Sequence, residues 1–152
     1  DSDESRGLGD VYKRQYQGPT HVRKALLLLI HGGHISYLSC DPKTTLDLNN
    51  YLGSVAFDIS GEWLSASSPR GHRVVVWHLA QGVEPIYHHT LAITDACGLS
   101  AASGPGGFII STGTGHIYHY AAITKTLSSK EAGARSVNDF SWDNHLLPKQ
   151  LC

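Results

Sequence analysis

The chain is poor in sulfur. It contains no methionine, and its three cysteines, Cys40, Cys97 and Cys152, are widely spaced and form no CxxC pair. So few cysteines at such spacings give neither a disulfide framework nor a zinc-binding motif. The cysteines therefore leave the redox compartment of the protein open.

Excess charge and long apolar runs are also scarce. The formal net charge is -1, and the 12 Lys and Arg residues are scattered along the chain. A nucleic-acid-binding domain gathers such residues on one face, so we expect no nucleic-acid partner. The longest apolar run, Ala25–Ile30, is far shorter than the roughly 20 residues that a membrane-spanning helix needs. We therefore expect no membrane span.

Glycine, in contrast, is abundant and falls between short apolar runs. The stretch from Gly53 to Gly82 returns 45 residues later in the sequence, with matched pairs at Gly53 and Gly98, Trp63 and Phe108, and Leu64 and Ile109. Repeats of about this length, built from short strands and Gly/Ser/Pro turns, indicate blades of a β-propeller. The predicted fold class is all-β. We expect a partial β-propeller (WD40- or YVTN-like) of about two complete four-stranded blades, plus half blades at each end.

The domain boundaries follow from the repeat. A propeller ring takes about four to eight blades, so 152 residues can supply only an arc, and we expect the missing N-terminal blades to come from the same parent chain. Residues 16–152 are assigned to this C-terminal part. Residues 1–15 are polar and lack periodicity, and their GLGDVYKRQ portion resembles translated sequencing-adapter sequence. A natural disordered linker is the alternative, and we leave the segment out of the predicted fold.

The strand pattern begins with a hairpin. Val22–Ile30 and Ile35–Leu38 flank a Gly-Gly turn, and Thr44–Asn50 connects this hairpin to the next blade. The first complete blade comprises strands at Leu52–Phe57, Glu62–Ser67, Arg73–Trp77 and Pro85–Leu91. The second comprises strands at Gly98–Ala102, Phe108–Thr112, Gly115–Tyr120 and Ile123–Leu127. A polar connection, Ser128–Arg135, leads to one further inner strand at Val137–Trp142.

The blade from Gly53 to Gly82 is similar to a WD-type repeat, although His78 stands where the usual aspartate would follow Trp77. A closer resemblance is to a bacterial β-propeller family, the domain of unknown function 1513 family. The segments that carry it are, in chain order, Tyr16-Gln17-Gly18-Pro19, Gly53-Ser54-Val55-Ala56, Ser67-Ser68-Pro69-Arg70-Gly71-His72-Arg73-Val74, Asp95-Ala96-Cys97-Gly98 and Ser141-Trp142-Asp143-Asn144-His145-Leu146. The resemblance implies a longer exported protein that is periplasmic through a twin-arginine signal and associated with imelysin-type iron-acquisition proteins. It brings no catalytic residue with it.

The ten histidines raise the possibility of a metal site. Side chains alternate faces along a strand, so His116 and His119 should point to opposite sides of their sheet, as should His88 and His89. A zinc site needs three or four converging ligands. We therefore assign no metal ligand and no cofactor.

One loop arginine and one polar cluster are candidates for ligand binding. Arg70 lies in a hairpin loop, where its planar guanidinium could hold a carboxylate or phosphate. Asp143, Asn144 and His145 form the densest polar cluster, next to a predicted inner strand. Polar residues of these kinds are also common in ordinary turns that bind nothing. Cys97 lacks an identified base, and we interpret it as a buried structural thiol.

Three functions compete on this evidence. The first is a non-catalytic binding or scaffolding propeller in the periplasm, with an unknown protein or small-molecule ligand and a possible link to iron acquisition. The second is a metal-dependent, lactonase-like hydrolase that uses the central channel. The third is an intracellular interaction propeller of the WD type. No GxSxG, P-loop or GxGxxG motif is present to favour an enzyme.

Overall fold

The computed structural model describes residues 10–13, 26–31, 33–79 and 84–130. Within these residues the chain forms eleven β-strands and one short helix. The strands make three antiparallel sheets of three, four and four strands. The all-β class predicted from the sequence is therefore confirmed.

The first sheet has the strand order β1-β2-β3, with bounds Asp10–Lys13, Leu27–His31 and His34–Leu38. The predicted hairpin is confirmed from Leu27 onward, because β2 and β3 pair from Leu27 with Leu38 to His31 with His34. Residues 22–25 of the predicted first strand lie outside the described residues. Gly33 makes the turn with a φ of 79°, a conformation that costs glycine little. Strand β1 belongs to the segment that we left out of the predicted fold.

The connection from the first sheet contains a helix that the sequence analysis did not predict. Helix α1 spans Pro42–Asp47, and the Asp41 side chain accepts a hydrogen bond from the backbone N–H of Thr44 at 2.9 Å. An aspartate N-cap followed by proline is a common helix start, since proline lacks the N–H that the first turn leaves unpaired. The Asp-Pro pair therefore begins a short helix here.

The second sheet has the order β4-β5-β6-β7, with bounds Val55–Phe57, Trp63–Ser68, Arg73–His78 and Ile86–Ala92. These strands match the four predicted ones, apart from a shorter β4. The central residues of β6, 74–77, are buried. Continuous apolar character in a strand predicts cover on both faces of its sheet, and this sheet packs against a neighbour on each side.

The third sheet has the order β8-β9-β10-β11, with bounds Ala96–Ala101, Gly107–Thr112, Ile117–Ala121 and Thr126–Lys130. Three of the predicted strands are confirmed in place. The fourth begins at Thr126 instead of Ile123, because residues 122–125 form the turn. Ile123 is exposed in that turn. The predicted strand at Val137–Trp142 lies outside the described residues.

Two apolar cores hold the sheets together. Leu26, Leu38, Leu64 and Trp77 belong to the core between the first and second sheets, which also includes Leu48 next to α1. A second core joins the second and third sheets. Its buried members are Trp63, Val74, Val76, Leu91, Ile93, Ala96, Leu99, Phe108, Ile110, Tyr120 and Ala122. The second sheet is therefore the middle layer of a stack.

The structure corrects the repeat alignment by one residue. The Ser54 N–H donates to Ser67 Oγ, and 44 residues further on the Gly98 N–H donates to Ser111 Oγ. The predicted partner of Trp63 was Phe108, at an offset of 45. Phe108 packs toward the second sheet whereas Trp63 packs toward the third, and a one-residue slip in a strand exchanges its two faces. The true offset is therefore 44 for the first two strands of each sheet.

Asp58 joins the second sheet to the third. Its carboxylate accepts hydrogen bonds from the Trp63 N–H at 3.0 Å, the Ser60 hydroxyl at 2.6 Å and the Gly106 N–H at 2.8 Å. The residue is only 5% exposed. Burial would raise the pKa of this carboxyl, but the hydrogen bonds from Ser60, Gly106 and Trp63 outweigh it and hold the pKa below the usual value. Asp58 is therefore charged at neutral pH.

No helix in the described part of the chain is long and apolar enough to cross a membrane.

Candidate functional site

Several chain segments meet at one end of the stacked sheets, which we call the linker end. It is formed by the β5–β6 turn (69–72), the β7–β8 connection (93–95) and the β9–β10 turn (113–116). In an up-and-down sheet, successive hairpin turns and connections lie at alternating ends of the sheet. These three segments therefore lie at the same end. Two of the segments that carry the family resemblance, at 67–74 and 95–98, reach this end.

Arg70 is exposed at the tip of the β5–β6 turn. Its guanidinium carbon lies 4.6 Å from the centre of the Tyr51 ring, a distance at which a cation is attracted to an aromatic face. Nearby Arg73 donates to Asp47 at 3.1 Å and is thereby neutralised. Among the described residues no carboxylate pairs with Arg70, so its guanidinium N–H groups face solvent. The contact with the aromatic ring holds the side chain in position.

A hydrogen-bonded lock, which the sequence analysis did not detect, fixes the loop beneath Arg70. His72 Nδ1 accepts a hydrogen bond from the Asp95 N–H at 3.0 Å, and the His72 carbonyl accepts from the Ile93 N–H at 3.1 Å. His72 and Asp95 both have positive φ values, 53° and 51°. Such a backbone persists only where the surroundings impose it. The lock therefore ties the β5–β6 turn to the β7–β8 connection.

The β9–β10 turn closes over the same connection. A Cβ atom at Gly113 would overlap the Asp95 carboxylate, and the Gly113 N–H donates to the Asp95 carbonyl at 3.0 Å. His116 lies in this turn, although the sequence predicted it in a strand, and its Nδ1 is 3.1 Å from Thr114 Oγ1. Three chain segments thus converge on Asp95.

Cys97 is buried beneath these loops, as the sequence analysis expected. Its thiol donates to the Asp95 carbonyl at 3.2 Å, and its own carbonyl accepts from the Ser67 hydroxyl of the neighbouring sheet. These contacts join the second sheet to the third. They support a structural role for Cys97.

The expectation that His88 and His89 point to opposite sides is wrong. A β-bulge between Val76 and Trp77 leaves His88 without a partner in the ladder, and such an extra residue interrupts the alternation of faces. His88 contacts the Trp63 ring and lies 3.0 Å from the Ala122 carbonyl. His89 stacks on Tyr120. Both rings therefore face the third sheet.

The surroundings also affect the protonation of these groups. Burial, Lys125 and His88 lower the pKa of His89, in that order of importance. Burial raises the pKa of Tyr120, whose hydroxyl has no hydrogen-bond partner in the described part of the chain. Both groups are therefore neutral at pH 7.

The second pair follows the expected alternation. His116 stacks with Tyr118, while His119 pairs across the ladder with Ile109 on the other face. Within residues 26–31, 33–79 and 84–129, no group of three or more His, Cys, Asp and Glu side chains is arranged to hold a metal ion.

A cavity of about 90 Å³ lies between the first sheet, α1 and the second sheet. Leucine side chains and Trp77 line most of it, together with Cys40 and Thr45. Burial raises the pKa of the Cys40 thiol, so this sulfur is not a ready nucleophile. The space would hold only a few water molecules, and Arg70 is not among the residues that line it.

The other predicted ligand-binding residues, Asp143, Asn144 and His145, lie outside the described residues. The candidate site in the described part of the chain is therefore the linker end, with Arg70 as its exposed cation and the lock between His72 and Asp95 as its support. Arg70 was recognisable from the sequence because it lies in a loop. The lock was not, since it joins residues 23 positions apart.

Comparison with known proteins adds the family. No curated protein matches the chain. Residues 6–148, nearly the whole chain, match the family described as protein of unknown function (DUF1513). The match begins inside the segment that we left out of the predicted fold. The chain belongs to the DUF1513 family.

Proposed function

We propose that the chain is an arc of a β-propeller and acts as a non-catalytic binding or scaffolding domain in the bacterial periplasm. One observation carries the proposal. Two consecutive four-stranded sheets have the same up-and-down order, pack face to face, and repeat the same serine-to-backbone hydrogen bond 44 residues apart, at Ser67 and Ser111. Radial repetition of such sheets is how propellers are built.

The binding face in this proposal is the linker end. The argument rests on the contrast between two arginines that are close in sequence. Arg73 is neutralised by Asp47, whereas Arg70 is held on the Tyr51 ring with its donors facing solvent. A guanidinium is planar and presents paired donors that fit a carboxylate or a phosphate. The ligand class that we propose is therefore a small anion or an anionic group on a partner protein.

The compartment rests on the family resemblance. It supports an exported protein with a link to iron acquisition, and small carboxylates are therefore the first anions to test. Fractionation of cells that express the parent gene checks the compartment. Recovery of the protein in the cytoplasmic fraction alone would refute it.

Binding is tested by isothermal titration of the purified chain with citrate and, separately, with inorganic phosphate. We expect one of these anions to bind, and Arg70→Ala to weaken that binding by about tenfold or more, because a charge-assisted hydrogen bond is lost. Lys125→Asn is the matched control. It removes a positive charge at the opposite end of the sheets, and asparagine tolerates the positive φ of 54° at that position.

The two possible failures are distinct. If neither anion binds, a small anion is not the ligand, and only an anionic group on a partner protein is left of the proposed class. If an anion binds equally well to Arg70→Ala and to the wild type, the ligand class stands, but the linker end is not the site.

The lactonase-like alternative stays a prediction. It needs a ring of metal ligands from several sheets, and metal content is the measurement that decides it.

A further inference from the structure

The lock between His72 and Asp95 depends on the protonation state of one ring. His72 Nδ1 accepts a hydrogen bond from the Asp95 N–H at 3.0 Å. A ring nitrogen accepts a hydrogen bond only while it carries no proton, and in the charged imidazolium both ring nitrogens are donors. The lock therefore requires a neutral His72. A proton on Nδ1 would set two donors against each other.

His72 is within reach of protons from the solvent. The residue is exposed at the linker end. Histidine is the side chain whose charge changes most readily between about pH 5 and pH 8. In the described part of the chain, no carboxylate forms an ion pair with the His72 ring. No such pair therefore stabilises the charged form of the ring.

The charged side chains next to His72 in its own turn are two arginines. Arg73 donates to the His72 carbonyl at 3.0 Å and is paired with Asp47 of α1. Arg70 has no carboxylate partner among the described residues. The turn and α1 together therefore bring a net positive charge near His72, which disfavours a second positive charge on the ring.

The other two segments of the linker end bring one carboxylate and one further histidine. From the β7–β8 connection, Asp95 presents its backbone N–H to the His72 ring, while its carboxylate lies against Gly113. In the β9–β10 turn, His116 Nδ1 lies within hydrogen-bonding distance of Thr114. The group that faces Nδ1 of His72 is thus an N–H donor, which favours the neutral ring.

The backbone of the lock makes it easy to release. His72 and Asp95 have positive φ values of 53° and 51°, and such a backbone costs free energy wherever its surroundings do not impose it. The remaining bond, from the Ile93 N–H to the His72 carbonyl, does not involve the ring. We propose that the lock is a pH-sensitive switch: acidification breaks the bond between His72 and Asp95 and loosens the turn that carries Arg70.

The test is amide hydrogen exchange of the purified 152-residue chain, followed by NMR at a series of pH values between about 8 and 5. The ring resonances of His72 report its titration in the same samples. Protection of the Asp95 N–H, corrected for the intrinsic pH dependence of exchange, should fall by about fivefold as the ring takes up a proton, the factor expected for one lost hydrogen bond between neutral groups.

His72→Asn is the variant that separates the ring proton from other effects of acid. The asparagine side-chain oxygen can accept the same N–H, does not titrate, and tolerates a positive φ. This variant should keep the protection of Asp95 over the whole pH range. His116→Asn is the matched control, because it removes a histidine from the β9–β10 turn at the same end. It should lose protection in acid like the wild type.

Three results would overturn the proposal. They are an Asp95 N–H without protection at high pH, protection that does not fall while the His72 ring titrates, and an equal fall in His72→Asn. The first two come from the wild-type chain alone, so they decide the question even if a variant folds poorly. None of the three depends on whether the linker end binds an anion, so the proposed function and the switch can fail separately.

Discussion

At the scale of single residues, Asp58 shows how one carboxylate can join two sheets. It lies in the turn after β4 and accepts a hydrogen bond from Gly106 in the third sheet. The sequence alone did not distinguish Asp58 from other turn residues, because Asp-x-Ser-Gly is an ordinary turn sequence. Its role depends on a contact 48 residues away.

We predict that Asp58→Asn lowers the free energy of unfolding by about 1.5–3 kcal/mol at neutral pH, because hydrogen bonds to a charged acceptor are lost or reversed. The pKa of Asp58 is lowered in the folded state. Its contribution is therefore fully present above the unfolded pKa of about 3.9 and is lost as the pH falls through the folded pKa. Urea unfolding at a series of pH values measures this. The difference in free energy of unfolding between the wild type and Asp58→Asn should narrow in acid.

Glu62→Gln is the control for this prediction. Glu62 is an exposed carboxylate on the same turn, and its substitution should change stability by less than about 0.5 kcal/mol. Equal effects of the two substitutions would show that Asp58 contributes only general charge. A gap that stays constant down to the lowest pH would contradict the lowered pKa.

At the scale of strands, the two buried serines of β5 that face the third sheet have different surroundings. Ser67 Oγ accepts from the Ser54 N–H and donates to the Cys97 carbonyl of the third sheet. Ser65 Oγ is equally buried but has no hydrogen-bond partner among the described residues. The pair thus separates the effect of a hydrogen bond from that of burying a hydroxyl.

We predict that Ser67→Ala lowers the free energy of unfolding by about 1–3 kcal/mol, because it leaves the Ser54 N–H and the Cys97 carbonyl without this partner. Ser65→Ala should be neutral or slightly stabilising, since it removes an unpaired buried hydroxyl. Both are measured by urea unfolding at neutral pH. Destabilisation of the same size in both variants would rule out this account of the interface between sheets.

The bulge in β7 shows where strand-level reasoning failed. Alternation of faces holds only while a strand stays in register, and the sequence HHT at 88–90 gives no sign of a break. The extra residue becomes visible once β6 and β7 are paired. Strand positions were predictable from apolar runs between glycine-rich turns, whereas ladder register was not.

At the scale of the whole molecule, the arrangement of histidines bears on the hydrolase alternative. Ring nitrogens of His72, His88 and His116 already lie at hydrogen-bonding distance from Asp95 N, the Ala122 carbonyl and Thr114 Oγ1. A metal ion would have to displace these contacts. An ion bound by any one of these histidines would also need two or three further ligands to converge on it.

We therefore predict that the purified chain retains no stoichiometric metal after dialysis, and that a chelator leaves its melting temperature unchanged. Elemental analysis and thermal unfolding with and without the chelator make the measurement. The same chain with one equivalent of zinc added after dialysis serves as the positive control for detection. One retained metal per chain, with a melting temperature that falls on its removal, would contradict this prediction and favour the hydrolase.

The sequence by itself determined the all-β class, the position of most strands and the loop placement of Arg70. These features depend on local patterns of apolar residues and turn residues, which are encoded within a few positions of one another. The start of α1 was also encoded locally, by Asp41-Pro42, although the sequence analysis did not predict a helix there.

Only the tertiary structure decided the 44-residue register, the bulge at His88, the lock between His72 and Asp95, and the link from Asp58 to Gly106. Each of these depends on which residues of distant segments come to lie opposite one another. A shift of one residue in a strand exchanges its faces at no cost to the local pattern. Packing between sheets penalises such a shift, so these contacts were settled by the sheets together and not by any one strand.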